Sequence, residues 1–497
     1  MLTTVHIIGI LLTITLLLVA SILSGRKVKD AKSFTTGGKS GSWMVCGAIL
    51  GTLVGGQSTI GTAQLAFSFG ISAWWFTIGA ALGAAVLGLV YAYPIRRSGC
   101  STLLQIVAHE YGRRAETVGS ILFLIGIFIS IMSQVLSSSA MVTSLFRLPL
   151  AWSAAISAML ILLLVFFGGI RSAGASGIIK LLLLYITSLV AGVAVWHLGR
   201  GIHGIMGSID NIYSQPIVAE LNGLTDAESI HQRYRNLVAR GPLKDIGGCL
   251  SLTLGVVTTQ TYAQGIWSAA TTRKARRGAL YCAFLIPLIG AACTLVGMYM
   301  RGHYVTTAEL SALQQAGQSL PEGIGVIGSS LQAFPDFVLY HLPPWIGGIA
   351  LGAMLINILG CGSGLALGAA TIMVRDVADN LRTKFPRLAI PYSTLTRTRL
   401  AIVAILSLAA VIALSMRGTF INDLGFLSLG LRAVVLLFPL SFALFLPGRF
   451  SSRLIIPSMI AGTALMLLAK AMSLPADPVY YGLAASAFTI LLGIRRK

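Results

Sequence analysis

Two stretches of this chain set polar and small residues in the middle of long apolar runs. The first is Gly51-Thr52-Leu53-Val54-Gly55-Gly56-Gln57-Ser58-Thr59-Ile60-Gly61; the second, about 200 residues later, is Gly255-Val256-Val257-Thr258-Thr259-Gln260-Thr261-Tyr262. A helix crossing hydrocarbon favours Leu or Ile at such places, so glycines, hydroxyls and a Gln in each stretch invite a break. Unwound backbone at membrane depth is tolerated only where it lines a cavity or packs against protein. Paired interruptions in two halves of a chain point to a transporter's central site. The chemistry this offers is binding, through the carbonyl and N–H groups left free at each new helix end. Helix packing is the competing account, because small residues are common at membrane helix interfaces. Two cations, Lys180 and Arg432, also fall inside apolar runs, and no acid lies in the interior of such a run to pair with them, Asp423 standing at the very start of its own.

Catalytic patterns are missing. GxSxG, HExxH and a phosphate-binding loop are absent, and His109-Glu110 has no second metal ligand at helical spacing. His197 and His203, beside Trp196, suit an interfacial anchor, as do Trp74 and Trp75 at the start of a run. The six cysteines are scattered without CxxC spacing, which predicts neither a disulfide framework nor a metal cluster.

The elements that hold these residues are membrane spans. Of 497 residues, 56% are hydrophobic and only 10% charged, with mean hydropathy +0.85. A soluble domain carries about 25% charged residues, so an ordinary soluble enzyme is excluded. Apolar runs of span length predict thirteen helices, near 4–24, 43–69, 73–94, 117–146, 150–168, 175–197, 247–269, 279–300, 343–373, 398–416, 421–446, 454–472 and 478–494. The net charge of +21 would by itself suggest a nucleic-acid partner, but 25 of the Lys and Arg residues lie in the turns of one face and nine on the other. That asymmetry is topology, and it speaks for a lipid bilayer and against nucleic acid. By the positive-inside rule the basic face is cytoplasmic, which places the N-terminus outside and the C-terminus inside a plasma (inner) membrane. The first span lacks a basic leader and is followed by Arg26-Lys27, so it reads as a retained anchor.

Several motifs, in order, resemble the sodium:solute symporter family. They are Gly55-Gly56-Gln57-Ser58-Thr59-Ile60-Gly61 running on to Phe67, then Gly70-Ile71-Ser72-Ala73-Trp74-Trp75 and Gly168-Gly169-Ile170-Arg171. Further on come Gln264, Ala269-Ala270 with the basic run Arg273 to Arg277, and Ala369-Ala370-Thr371 with Arg375-Asp376. The resemblance covers about residues 40–450. It implies an all-α polytopic protein of LeuT-type fold, a 5+5 inverted repeat with broken second and seventh spans. The repeats would occupy 43–197 and 247–446, the second including an external segment at 301–342. A peripheral helix and turn at 1–42, an external loop at 198–246 and two peripheral helices at 447–497 would complete the chain. The resemblance further implies a cation:solute symporter, sodium-coupled, that imports a small organic solute by alternating access and needs no other cofactor. On the same carry-over the Gly51 and Val54 carbonyls contribute to a sodium site, and Gln57, Ser58, Thr258, Thr259 and Gln260 face solute. For each of these side chains an interhelical hydrogen bond is the equal alternative.

The chain departs from the family at the cation site. Where the pattern supplies an Ala and, three and four residues on, two hydroxyls, this sequence has Asn357, Gly360 and Cys361. A thiol is a poor ligand for a hard cation, though Ser363 or the Asn357 amide oxygen could make up the set. After Gly168-Gly169 the family's Thr-Asp, with a Gln three residues beyond, reads Ser176-Gly177 and then Lys180. An ionised Lys within a span costs at least about 2.5 kcal/mol unless it reaches water or a partner. Lys180 either snorkels to the near surface, packs, or stands in for sodium and makes the protein proton-coupled. Arg432 either bonds carbonyls of a broken helix or meets a solute carboxylate, and the lack of acids disfavours a cationic solute. The expected cargo is therefore a small neutral or anionic organic solute. A non-transporting receptor or scaffold of the same fold is the alternative class. Oligomeric state is not legible.

Overall fold

The computed structural model describes residues 2–25, 40–100, 102–168, 175–224, 226–320, 322–374, 393–415 and 418–494. Regular structure there is helical, apart from one short parallel pairing of Tyr304–Thr306 with Gly325–Ile327. Helix α1 (Thr4–Gly25) precedes the first broken span, which consists of α2 (Ser42–Leu53), extended backbone at Val54, a π turn over Gln57–Gly61 and α3 (Thr62–Phe69). Helices α4 (Trp75–Val86), α5 (Ala92–Arg97), α6 (Leu103–Tyr111), α7 (Arg113–Phe146), α8 (Leu150–Gly168) and α9 (Ala175–Leu198) follow. Three short helices, α10 (Gly201–Tyr213), α11 (Pro216–Leu221) and α12 (Ala227–Arg235), lead to the second broken span, α13 (Pro242–Thr258) and α14 (Gln260–Ser268). Then come α15 (Thr272–His303), α16 (Thr307–Gln315), α17 (Ala333–His341), α18 (Pro344–Thr371), α19 (Thr394–Ser415), α20 (Ile421–Phe445), α21 (Ser452–Ala471) and α22 (Pro478–Leu491).

Every expected span coincides with one of these helices or with a helix pair joined at a break. By length and hydropathy alone, seven helices among the described residues suffice to cross a bilayer, or eight if α9 and α10, bent by 72°, form one span.

Local chemistry explains both breaks. At the first, Gly55 and Gly56 are poor helix formers, and the Ser58 and Thr59 hydroxyls donate to the carbonyls of Leu53 (3.2 Å) and Gly55 (3.1 Å). At the second, Thr259 leaves helical geometry with φ −88 and ψ 125, and its hydroxyl donates to the Gly255 carbonyl at 2.7 Å. That is the acceptor its own N–H would use in a continuous helix.

Packing repeats in inverted pairs. Helix α15 lies on α2, α3 and α4, as α13 lies on α4 and α5's preceding turn; α7 meets α20 as α18 meets α9. Helices α7 and α18 pack against each other, and the α21–α22 pair packs on α20. Helix α1 is seated on α18 through small residues, since a Cβ on Gly9 would lie 3.0 Å from the Gly348 backbone.

Candidate functional site

The two breaks are linked through α7, whose serines at helical spacing form a polar spine against the first, and through Arg432 of α20, which reaches the second. The Gln57 amide donates to Ser133 Oγ at 2.5 Å, and Ser133 Oγ donates to the Ser130 carbonyl at 2.8 Å. Ser130 and Ser428 hydroxyls bond at 2.6 Å. Arg432, 3% exposed, donates to Ser130 Oγ (2.7 Å), Ser428 Oγ (3.0 Å) and the Gly126 carbonyl (3.5 Å), and reaches Thr259 Oγ1 at 3.5 Å. Its Cζ lies 5.7 Å from the Phe123 ring centre, and Nε has no hydrogen-bond partner among the described residues. Thus Gln57, Thr259 and Arg432 are tied together through α7, although they come from three elements far apart in sequence. Backbone approach is close here: a Cβ on Gly56 would lie 2.3 Å from Ser137 Cβ.

Beside the first break, α18 presents Asn357 and Cys361 one helical turn apart. The Asn357 amide N–H donates to the Val54 carbonyl at 2.8 Å, and the Cys361 S–H donates to the Gly51 carbonyl at 3.7 Å. The four residues are therefore brought together, with donors directed at the carbonyls. Ser363 turns to its own helix, donating to the Gly360 carbonyl at 2.9 Å. Thr258 does likewise, donating to the carbonyls of Leu254 (3.0 Å) and Gly255 (3.2 Å). Gln260 accepts from the Leu103 N–H at 2.8 Å, at the first turn of α6. The side chain of Lys180, on α9, lies outside the described residues.

The bundle is closed differently at its two ends. At the end carrying the basic turns, Arg96 Nη1 donates to the carbonyls of Ile266 (3.0 Å), Trp267 (3.2 Å) and Ala269 (2.6 Å), gripping the last turn of α14. Thr52, Thr261 and Gln264 in that half are exposed. At the far end polar groups are buried and joined. Gln64 donates to the Thr419 carbonyl (3.3 Å) and accepts from the Ile421 N–H (2.9 Å). Arg240 pairs with Asp245 at 2.8 Å and Asp423 at 2.6 Å, and Tyr234 donates to the Phe67 carbonyl at 3.0 Å.

Two carboxylates of the far-end segment have shifted acidity. Burial pushes Glu309 up, but Arg301, 2.9 Å away, and donors from Thr306 and Asn222 outweigh it and leave the carboxyl below its ordinary range. Burial pushes Asp336 up to about 6, against weaker pulls from the Ser144 hydroxyl and Arg147. Neither Asp336 oxygen makes a well-formed hydrogen bond among the described residues.

Sequence reasoning passed over Ser130, Ser133 and Ser428, and the Arg240 cluster. Ser130 and Ser133 carried a signal, hydroxyls three residues apart inside the 117–146 run. Arg240 and Asp423 carried none, being 183 residues apart.

Comparison with known proteins agrees with this geometry. High-affinity choline transporter 1 of Torpedo marmorata is 24% identical over 394 residues, covering 75% of this chain and 62% of that one. Its Homo sapiens counterpart is 22% identical over 365 residues, 71% of this chain and 57% of that one. The chain thus spans less than two thirds of the length of these curated relatives. A solved Na+-coupled sialic acid symporter, in a substrate-bound outward-open state, matches with TM-score 0.68 and 15% identity over 99% of this chain and 97% of that chain. That likeness shows the shared LeuT-type fold. The sequence itself matches the sodium:solute symporter family over residues 34–462, and this multi-pass membrane protein belongs to that family.

Proposed function

We propose that the protein is a secondary active transporter, not an enzyme, that carries a small neutral or anionic organic solute by alternating access. The paired breaks, linked through the α7 spine and Arg432, carry this reading. Each break frees main-chain groups and holds buried polar side chains at mid-bundle, an arrangement that packing alone does not require. The joined polar groups of the far end and the exposed polar groups of the basic half support a cycle in which the two ends open in turn. Coupling to sodium follows the family, with the Gly51 and Val54 carbonyls as ligands and the cation and solute favouring the same conformation. The positive-inside rule supports an N-terminus outside and a C-terminus in the cytoplasm.

The curated relatives are choline transporters, but a cationic solute fits this centre poorly. Arg432 already supplies a buried positive charge, and no acid lies beside it in the contacts described above. A carboxylate could accept from the guanidinium, and a neutral solute could use Gln57 and the serines. A second reading, proton coupling with Lys180 in place of sodium, is favoured by the donors directed at Val54 and Gly51.

Counterflow in proteoliposomes tests both. Labelled carboxylates, neutral solutes and choline are offered with sodium or potassium at two pH values. Sodium-stimulated exchange of a carboxylate or neutral solute is expected. Exchange driven by pH alone would favour Lys180, and no exchange with any solute would favour the scaffold.

A further inference from the structure

Resting on the sodium-coupled reading, we propose that Asn357 and Cys361 form a latch that competes with the coupling cation for the carbonyls at the end of α2. The last carbonyls of a helix lack intrahelical donors and carry the negative end of its dipole. Where a helix stops inside a bundle, such carbonyls attract a cation. Here those of Val54 and Gly51 are each met by a donor from α18, at 2.8 Å from Asn357 and 3.7 Å from Cys361. The two rungs are one turn apart on both helices and span the seam between α2 and α18. Asn357 is 3% exposed, so its bond is made away from water.

A hard cation takes oxygen ligands, and an N–H or S–H aimed at the same lone pairs excludes it. Cation entry therefore requires both rungs to open. Asn357 can answer by turning its amide through half a revolution, which exchanges nitrogen for oxygen at nearly the same place. Cys361 has no such alternative, and its thiol must swing aside. Because Cys361 Sγ would lie 3.1 Å from a Cβ at Gly55, the glycine leaves the space in which the thiol sits. The seam is thus held by protein donors when the cation is away and by the cation when it arrives. The carbonyls stay satisfied while the empty carrier resets, and sodium affinity is lower than an oxygen-lined site would give.

Sodium titrations of the purified full-length protein, at constant ionic strength with potassium as the balancing ion, test this. Readouts are the melting temperature and the sodium dependence of counterflow. Cys361→Ala removes a donor without adding a ligand, and half-saturating sodium is expected to fall on the order of fivefold. Cys361→Ser adds the missing hydroxyl oxygen and should lower it further; Asn357→Asp should do the same at the other rung. A parent that responds to sodium with variants that bind it no more tightly overturns the latch and leaves the transport reading standing. A parent that exchanges solute but ignores sodium in both readouts overturns sodium coupling and the latch together. If Asn357→Asp fails to fold, the two Cys361 variants decide the question alone.

Discussion

Gly56 shows how little room the first break has. Its backbone touches α7 so closely that a Cβ would lie 2.3 Å from Ser137 Cβ, well inside van der Waals contact. Gly56→Ala is therefore expected to cost about 1–3 kcal/mol as α7 is pushed aside. The check is a lowered melting temperature together with lost counterflow. Arg432 is the other residue on which the centre turns, since four acceptors converge on one guanidinium. Arg432→Lys keeps the charge but cannot span Ser130, Ser428 and Thr259 together. We expect half-saturation for a carboxylate solute to rise at least about tenfold, on the order of one lost charged hydrogen bond. A neutral solute should respond much less, and an equal loss for both classes would mean that the arginine is structural. The sequence made the break readable because Gly55-Gly56 and Thr258-Thr259 act on their own neighbours. It did not reveal that Gln260 reaches Leu103, because one residue past a break a side chain is turned by about 100° and meets a different helix.

Helices α2, α14 and α15 pack as one piece. A Cβ on Gly278 would lie 2.6 Å from the Ser42 carbonyl oxygen, and one on Gly265 would lie 2.9 Å from Ile49. Within this piece the thiols of Cys46 on α2 and Cys282 on α15 are 3.5 Å apart. A membrane-permeant oxidant is expected to join them and leave counterflow within about twofold of the untreated rate, because the bond links parts that move together. Inhibition that a reductant reverses, and that Cys282→Ala abolishes, would instead show α2 swinging independently. Helix placement was legible because hydropathy and charged turns are local signals. Contacts such as Gln64 with Thr419, 355 residues away, were not, since nothing near either residue names its partner.

Across the whole molecule, α2 to α5 pack with α13 to α15, while α7, α8, α18 and α19 pack with one another, and the Asn357 bond to Val54 bridges the two groups. Stability should carry the mark of Asp336, whose carboxyl is raised to about 6 in the folded protein. A raised acid stabilises when protonated, so its contribution is full below about pH 4 and is lost as pH rises through 6. Asp336→Asn should stabilise the fold at pH 8 by on the order of 3 kcal/mol, read as a higher melting temperature, and the gain should vanish near pH 4. A gain independent of pH would refute the cause. Gly70, with φ +56, lies against the backbone of Tyr234 so closely that a Cβ would lie 2.2 Å from its carbonyl oxygen, and six residues later Arg240 grips α13 and α20. The short strand of chain between them is tethered to both kinked helices at once. Any parting of the far end would accordingly have to peel this cord from α3 and tug on α13, a mechanical link between the two kinked helices.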